Sequence, residues 1–228
     1  MTAAKSARYA VYFAPAEGTP LAGFAADWFA GRCWNGWRAP DSGRMDELLT
    51  SPRHYGFHAT LKPPFALAAG AGVAELGEAL HDFAAQRAPF TAPPLRPQRL
   101  GRFLALCPLE PSPALSALAA DCVRAFDRFR APPSAAELAR RRQAGLSPRQ
   151  EALLREWGYP YLFDEFRFHM TLTGPAGDGE GAAILERLVA AASSLATLPL
   201  QVDAICLFHQ PAPDAPFALS RRFAFGGA

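Results

Sequence analysis

His58-Ala59-Thr60-Leu61 occurs early in this chain, and His169-Met170-Thr171-Leu172 repeats the phrase 111 residues later. The first lies in an apolar run from Tyr55 to Pro63, limited by Pro63-Pro64; the second lies in Phe166 to Thr173, ended by Gly174-Pro175. Both runs predict buried β-strands. Successive side chains on a strand alternate faces. His58 and Thr60 then share one face and Phe57, Ala59 and Leu61 the other, while His169 and Thr171 stand opposite Phe168, Met170 and Leu172. The apolar face supplies core, so the His/Thr face belongs to a polar cleft. Only a fold brings residues so distant together, and two histidines in matched settings point to paired acid–base chemistry.

With 228 residues, half of them hydrophobic, the chain is long enough to bury a sizeable core. A formal charge of +2 and a pI near 8.4 are too mild for a nucleic-acid or membrane surface, so anion binding must be local. Cys33, Cys107, Cys122 and Cys206 show neither C-x-x-C pairing nor metal-ligand spacing, which predicts reduced core thiols, no metal and no cofactor. The N-terminus lacks a signal-peptide pattern and no apolar stretch is long enough to span a bilayer, which predicts a cytoplasmic protein.

Arg8 to Ala14 reads as the first strand, with Tyr12 and Ala10 on one face. Leu21, Phe24, Ala25 and Trp28 follow at helical spacing, with Pro20 at the start and Gly31 at the end. Asn35 to Arg44 reads as a loop. Val73, Leu76, Leu80 and Phe83 mark a helix over about 72–87, Arg102 to Leu109 a strand, and Leu115, Leu118, Cys122 and Phe126 another helix. Between Arg130 and Tyr161, Ser134-x-x-Glu137 and Ser147-Pro148-Arg149-Gln150 are capping-box signatures of two polar helices forming a lid or bridge. A helix with Leu185, Leu188, Val189 and Ala192 on its apolar stripe follows the second motif. Then Leu200, Val202, Ala204, Cys206 and Phe208 alternate along one long strand, with Phe217 to Phe225 pairing back as a hairpin. The order His-x-Thr strand, helix, strand thus occurs twice. It predicts a single bilobal α+β domain over 1–228, lobe one about 15–110 and lobe two about 111–228, with terminal strands crossing between lobes.

On its two His-x-Thr-hydrophobic motifs the chain resembles the two-histidine (2H) phosphoesterase superfamily. Arg8-Tyr-Ala-Val-Tyr-Phe-Ala-Pro15, Arg53 to Lys62, Trp157-Gly-Tyr-Pro-Tyr161, Phe163 to His169 and Phe208-His-Gln-Pro-Ala-Pro213 look like its phosphonate-metabolism branch, a resemblance over nearly the whole chain. His209 beside Gln210 is a small departure. The resemblance implies two antiparallel-sheet lobes with outer helices and pseudo-two-fold symmetry around a central cleft. It also implies a metal-independent cyclic phosphodiesterase, a hydrolase. For this branch, association with carbon–phosphorus lyase genes implies opening of 5-phosphoribosyl 1,2-cyclic phosphate to ribose 1,5-bisphosphate.

The residues themselves suit such chemistry. Hydrolysis of a cyclic phosphodiester needs a proton taken from water and one given to the departing sugar oxygen. Two imidazoles near neutral pH supply both, in an order the sequence leaves open. Thr60 and Thr171 add hydroxyl donors to the nonbridging oxygens. A second phosphate would need a cation: Lys62, two residues beyond Thr60, or Arg130, Arg141 and Arg142 on the bridging segment, with Tyr12 lining the cleft. His54 would lie at the cleft rim, His81 on a helix surface. The expected partner is a small phosphorylated sugar or cyclic nucleotide, with no membrane and no long nucleic acid. Two rivals stay open: a nucleoside or RNA-end 2′,3′-cyclic phosphodiesterase, and a non-catalytic phosphate-ligand or RNA-binding module. A metal site using Asp164 is disfavoured, because five residues before His169 it falls on the opposite strand face.

Overall fold

A computed structural model of the chain describes residues 7–34, 42–143 and 145–227. Residues 35–41, most of the loop expected after the first helix, lie outside that set. The strands are β1 (Arg8–Phe13), β2 (Ala59–Phe65), β3 (Phe90–Ala92), β4 (Leu95–Leu100), β5 (Phe103–Pro108), β6 (Met170–Thr171), β7 (Leu200–Val202), β8 (Ala204–Gln210) and β9 (Ala218–Ala224). The helices are α1 (Pro20–Phe29), α2 (Ser42–Tyr55), α3 (Val73–Ala85), α4 (Pro113–Phe126), α5 (Ala135–Arg142), α6 (Pro148–Trp157) and α7 (Asp178–Ala191).

The fold is α+β, and its sheets are antiparallel. The strand order is β4-β5-β6-β2-β1-β8-β9, with β3 and β7 forming a separate pair. One half-sheet, β4-β5-β6, meets the other, β2-β1-β8-β9, where β6 lies against β2 through the register pair Ala59↔Met170. The two motif strands are therefore central neighbours. Beneath them one sheet face carries the main core, with Val11, Phe13, Ala59, Leu61, Leu106 and Met170 packed under the helices. The opposite face carries a small cluster of Ala10, Tyr12, Cys206, Phe208 and Phe217 beside the cleft.

Local sequence accounts for most helix ends. Thr19 caps α1 by accepting from the Ala22 N–H, with Pro20 at the first position, and the stripe Leu21, Phe24, Ala25, Trp28 is buried. Both expected capping boxes form, at Ser134 and Glu137 for α5 and at Ser147 and Gln150 for α6. Gly158 ends α6 in the left-handed region, φ 74°. On α7 the buried stripe is Gly181, Ile184 and Leu188, whereas Val189, expected inside, is exposed.

α2 corrects the expectation of a loop to Arg44 followed by a strand from Tyr55. The helix persists through Pro52, which has no N–H to give the carbonyl four residues back, that of Leu48. That carbonyl instead accepts from the Gly174 N–H, just past the second motif. Trp28 of α1 likewise donates its indole N–H to the Leu172 carbonyl at 3.0 Å, and the Thr173 hydroxyl accepts from the Leu104 N–H at 3.1 Å. These irregular ties explain why β6 spans two residues rather than the expected eight. The long strand expected from Leu200 is also interrupted, at Asp203: β7 pairs with β3, while β8 pairs with β1 and β9. Among the described residues no helix is long and apolar enough to cross a membrane.

Candidate active site

The register Ala59↔Met170 fixes the site. In an antiparallel ladder it sets His58 beside Thr171 and Thr60 beside His169, so each threonine neighbours the other motif's histidine. All four point away from the main core, and the two histidines are diagonal neighbours, roughly 7–8 Å apart in such a sheet with their Cβ atoms somewhat closer. A local two-fold runs through the Ala59/Met170 pair. On the flanks Tyr12 pairs with Thr60, and Ala105 with Thr171.

Each imidazole is anchored the same way. Nδ1 of His58 bonds the Gly56 carbonyl at 2.9 Å, and Nδ1 of His169 bonds the Arg167 carbonyl at 2.7 Å. A carbonyl only accepts, so Nδ1 carries the proton and Nε2 is left as the reactive nitrogen of the neutral ring. Gly56 bends the chain out of α2 with φ 73°, a conformation that suits glycine. The Thr60 hydroxyl reaches Nε2 of His58 at 3.4 Å. Tyr12 stacks on His58, ring centroids 3.7 Å apart.

Burial sets the protonation states. It lowers the His58 pKa to about 4, against the bond to Gly56, and nearby His169 lowers it further; burial also lowers His169, opposed by the bond to Arg167. Burial raises the Tyr12 phenol far above its ordinary range, so Tyr12 is a neutral ring.

A cavity of about 530 Å³ opens over this face, lined by Tyr12, His58, Thr60 and Thr171 together with Arg8, Ser51, Pro52, Tyr55, Pro64, Arg140, Arg141, Tyr159, Pro160 and Tyr161. His169 is not among the lining side chains; its ring packs 5.7 Å from that of Phe103.

Of the residues expected to bind substrate, Tyr12 and Arg141 line this cavity. Lys62 does not. The register slips by one between Val11↔Lys62 and Tyr12↔Thr60, and this bulge turns Lys62 onto the core side with Leu61. Its ammonium is buried and donates to Asp127 at 3.0 Å and to the Val123 carbonyl at 3.3 Å. The expectation that Lys62 shares the Thr60 face is corrected on that ground. Arg130 forks onto the same Asp127 at 2.7 and 3.0 Å and packs over Gly158. Arg142 pairs with Glu151 on the exposed side, and neither arginine lines the cavity. His54 lies on α2 outside the lining set, His81 is exposed on α3, and Asp164 pairs with Arg149. Among the described residues no three His, Cys, Asp or Glu side chains gather as a metal site requires.

Sequence reading missed Arg8, Arg140, Tyr55, Tyr159 and Tyr161. Arg8 was legible, since it lies in period-two phase with Ala10 and Tyr12. Arg140 and Tyr159 reach the cleft through the packing of α5 against the turn after α6, which has no local signature.

Residues 60–218 match the family described as "Protein of unknown function (DUF1045)". The chain is 37% identical over 238 aligned positions to ribose 1,5-bisphosphate phosphokinase PhnN of Janthinobacterium sp. (strain Marseille), covering 96% of this chain and 51% of that protein. It is 35% identical to the protein of that name from Laribacter hongkongensis (strain HLHK9), covering 94% and 51%. The chain therefore spans about half the length of these curated relatives. Its fold is similar to that of the conserved protein of unknown function ATU0111 from Agrobacterium tumefaciens str. C58, with a TM-score of 0.50, 13% identity and coverage of 96% and 86%. E. coli LigT complexed with 3′-AMP aligns with a TM-score of 0.44 at 14% identity, covering 97% and 99%. The family match covers most of the chain, and the likeness to ATU0111 is one of fold.

Proposed function

We propose that this chain, which belongs to the DUF1045 family, is a phosphodiesterase that opens a cyclic phosphate by two-histidine acid–base catalysis. The observation that carries the reading is the paired anchoring of His58 and His169. Adjacent antiparallel strands hold them, each has Nδ1 bound to the carbonyl two residues back, and each keeps Nε2 for chemistry. One imidazole takes a proton from water as its oxygen attacks phosphorus; the other, as imidazolium, protonates the sugar oxygen as the P–O bond breaks. Thr60 and Thr171 donate to the nonbridging oxygens, where charge grows in the transition state.

The substrate we propose is 5-phosphoribosyl 1,2-cyclic phosphate, cleaved at the P–O2 bond to ribose 1,5-bisphosphate. Two curated relatives named for ribose 1,5-bisphosphate support that choice, since the product would be the compound in their name. Tyr159 and Tyr161 at the cleft favour a second reading, a nucleoside 2′,3′-cyclic phosphate whose base stacks on a phenol ring.

The test is turnover of both compounds in EDTA, followed by ³¹P NMR, with wild type, His58→Ala and His169→Ala in parallel. The expected result is preference for the ribosyl compound and loss of about 10²–10⁴-fold in each variant. Preference for 2′,3′-cyclic AMP selects the second reading, and undiminished activity in either variant overturns the mechanism. No turnover of either compound by wild type leaves a phosphate-ligand binding module.

A further inference from the structure

Three arginines line the cleft without a counter-ion. Arg8, Arg140 and Arg141 form no ion pair among the described residues, and no carboxylate lines the cavity. Elsewhere on the bridging segment the arginines are taken: Arg130 by Asp127, Arg142 by Glu151 and Arg149 by Asp164. Arg8 is held, but by a neutral group. Its Nε donates to the Gln210 side-chain oxygen at 2.7 Å, and the Gln210 amide is itself fixed by the Pro213 and Ala215 carbonyls. The guanidinium is thus oriented with its charge uncompensated. Arg141 lies over the Tyr159 ring, 4.7 Å from its centroid, and its Nε–H is buried with no acceptor. A buried donor left unmade is costly, and burial together with the like charges of Arg140 and Arg8 presses on the same group, opposed by Tyr159 and by Glu137, which forms no ion pair with it. This cluster has the chemistry of a site waiting for an anion.

From this arrangement we propose that Arg8, Arg140 and Arg141 form a second anion subsite, which takes a terminal phosphate monoester on a substrate whose cyclic phosphate lies at His58 and His169. The assignment rests on the reading of the histidines as the reacting centre. Charge decides which phosphate goes where. A monoester carries about −1.5 to −2 at pH 7, matching several guanidinium forks, while the singly charged cyclic diester suits two imidazoles that share one proton. Spacing agrees. Arg8 and Tyr12 lie on the same face of β1, four residues or roughly 13 Å apart at ~3.3 Å per residue, and the Phe217 ring lies between them, 5.4 Å from the Arg8 guanidinium carbon and 6.2 Å from the Tyr12 ring, a span on the scale of a pentose phosphate. The subsite selects phosphorylated sugars over unphosphorylated ones.

Ribose 5-phosphate, which has the monoester and no cyclic phosphate, is the binding probe, measured by calorimetry against wild type, Arg8→Gln, Arg141→Gln, Arg141→Lys and His58→Ala. Arg8→Gln and Arg141→Gln should each weaken it by about tenfold or more, Arg141→Lys by less, and His58→Ala hardly at all. In turnover, Arg141→Gln should raise KM for 5-phosphoribosyl 1,2-cyclic phosphate far more than for ribose 1,2-cyclic phosphate, which lacks the monoester. Wild-type affinity in both glutamine variants, or a loss in His58→Ala as large as theirs, overturns the subsite. Arginine-dependent binding without turnover of any cyclic phosphate sustains the subsite and overturns the catalytic reading instead.

Discussion

The Tyr12 ring lies flat on the His58 imidazole, centroids 3.7 Å apart and planes 15° from parallel. Tyr12 sits on β1 opposite Thr60, so the stack holds the imidazole plane while the Gly56 carbonyl holds its tautomer. Tyr12→Phe keeps the ring and is expected to stay within a few-fold of wild-type activity. Tyr12→Ala removes the ring that both orients His58 and shields it from water. Its kcat should fall by about 10²-fold, the cost of a misplaced catalytic group. The His58 pKa should also rise toward 6.5 as water returns, which separates positioning from general damage. A Tyr12→Ala enzyme with wild-type kcat and pH profile would remove Tyr12 from the site.

Both histidines titrate below the ordinary value of 6.5, His58 near 4, because burial penalises the imidazolium. The free enzyme needs one ring neutral and one charged. Both folded values lie below 6.5, so the charged form is lost as pH rises through them, and kcat/KM should fall about tenfold per pH unit from an optimum on the acid side of 6.5. In the complex the bound phosphate favours imidazolium, so the kcat profile should lie at higher pH. The same depression has a stability sign. Between about 6.5 and 4 the unfolded chain binds a proton that folded His58 refuses, so stability drops as pH falls through that window. His58→Gln should flatten the drop in a Tm-versus-pH series, and a kcat/KM optimum above pH 7 would contradict the assignment.

Lys62 and Asp127 tie β2 to the turn after α4 inside the core rather than in the cleft. Asp127→Ala leaves a buried ammonium unpaired. A fully buried pair broken this way costs ~3–5 kcal/mol, reduced here to about 2–4 kcal/mol because Asp127 is about a quarter exposed. Lys62→Met replaces the charge with an apolar chain of similar length and should cost far less in a urea midpoint. It should also leave KM unchanged for every cyclic phosphate, and a raised KM would return Lys62 to the substrate.

What was legible in the sequence had a period or a cap. The two-residue phase of His58/Thr60 and His169/Thr171 showed their common face, Ser134 and Ser147 announced their helices, and the stripes of α1 and α4 marked their buried sides, as did that of α3 except at Val73, which is exposed. What was hidden depended on contacts between distant segments. Pro52 sits inside α2 because Gly174 satisfies the carbonyl that proline frees. Lys62 turned inward because one extra residue in the β1/β2 register reverses the alternation. The alternation from Leu200 to Phe208 continues across Asp203, so nothing local showed that β7 and β8 serve different sheets. Arg8 and Arg141, 133 residues apart, meet only in the cavity that both line.

Gly174 offers the sharpest test of how the second motif is held. A Cβ built there would lie 3.2 Å from the Leu48 carbonyl oxygen, the group whose partner is the Gly174 N–H. Neither side moves freely: Leu48 is buried in α2, and Leu172 and Thr173 are fixed by Trp28 and by β5. Gly174→Ala should therefore destabilise the protein by ~1–3 kcal/mol, the range for overpacking a filled site. Because the strain falls three residues from Thr171, it should also lower kcat well beyond any change in the folded fraction. Trp28→Phe relaxes the same segment from the other side by removing the donor to Leu172, at about 1–3 kcal/mol for the carbonyl left unpaired. If α2 and α1 position the motif jointly, the two changes act on one segment and their effects on kcat should be non-additive. A double-mutant cycle on kcat that sums to the single effects would show that the two tethers act on stability alone.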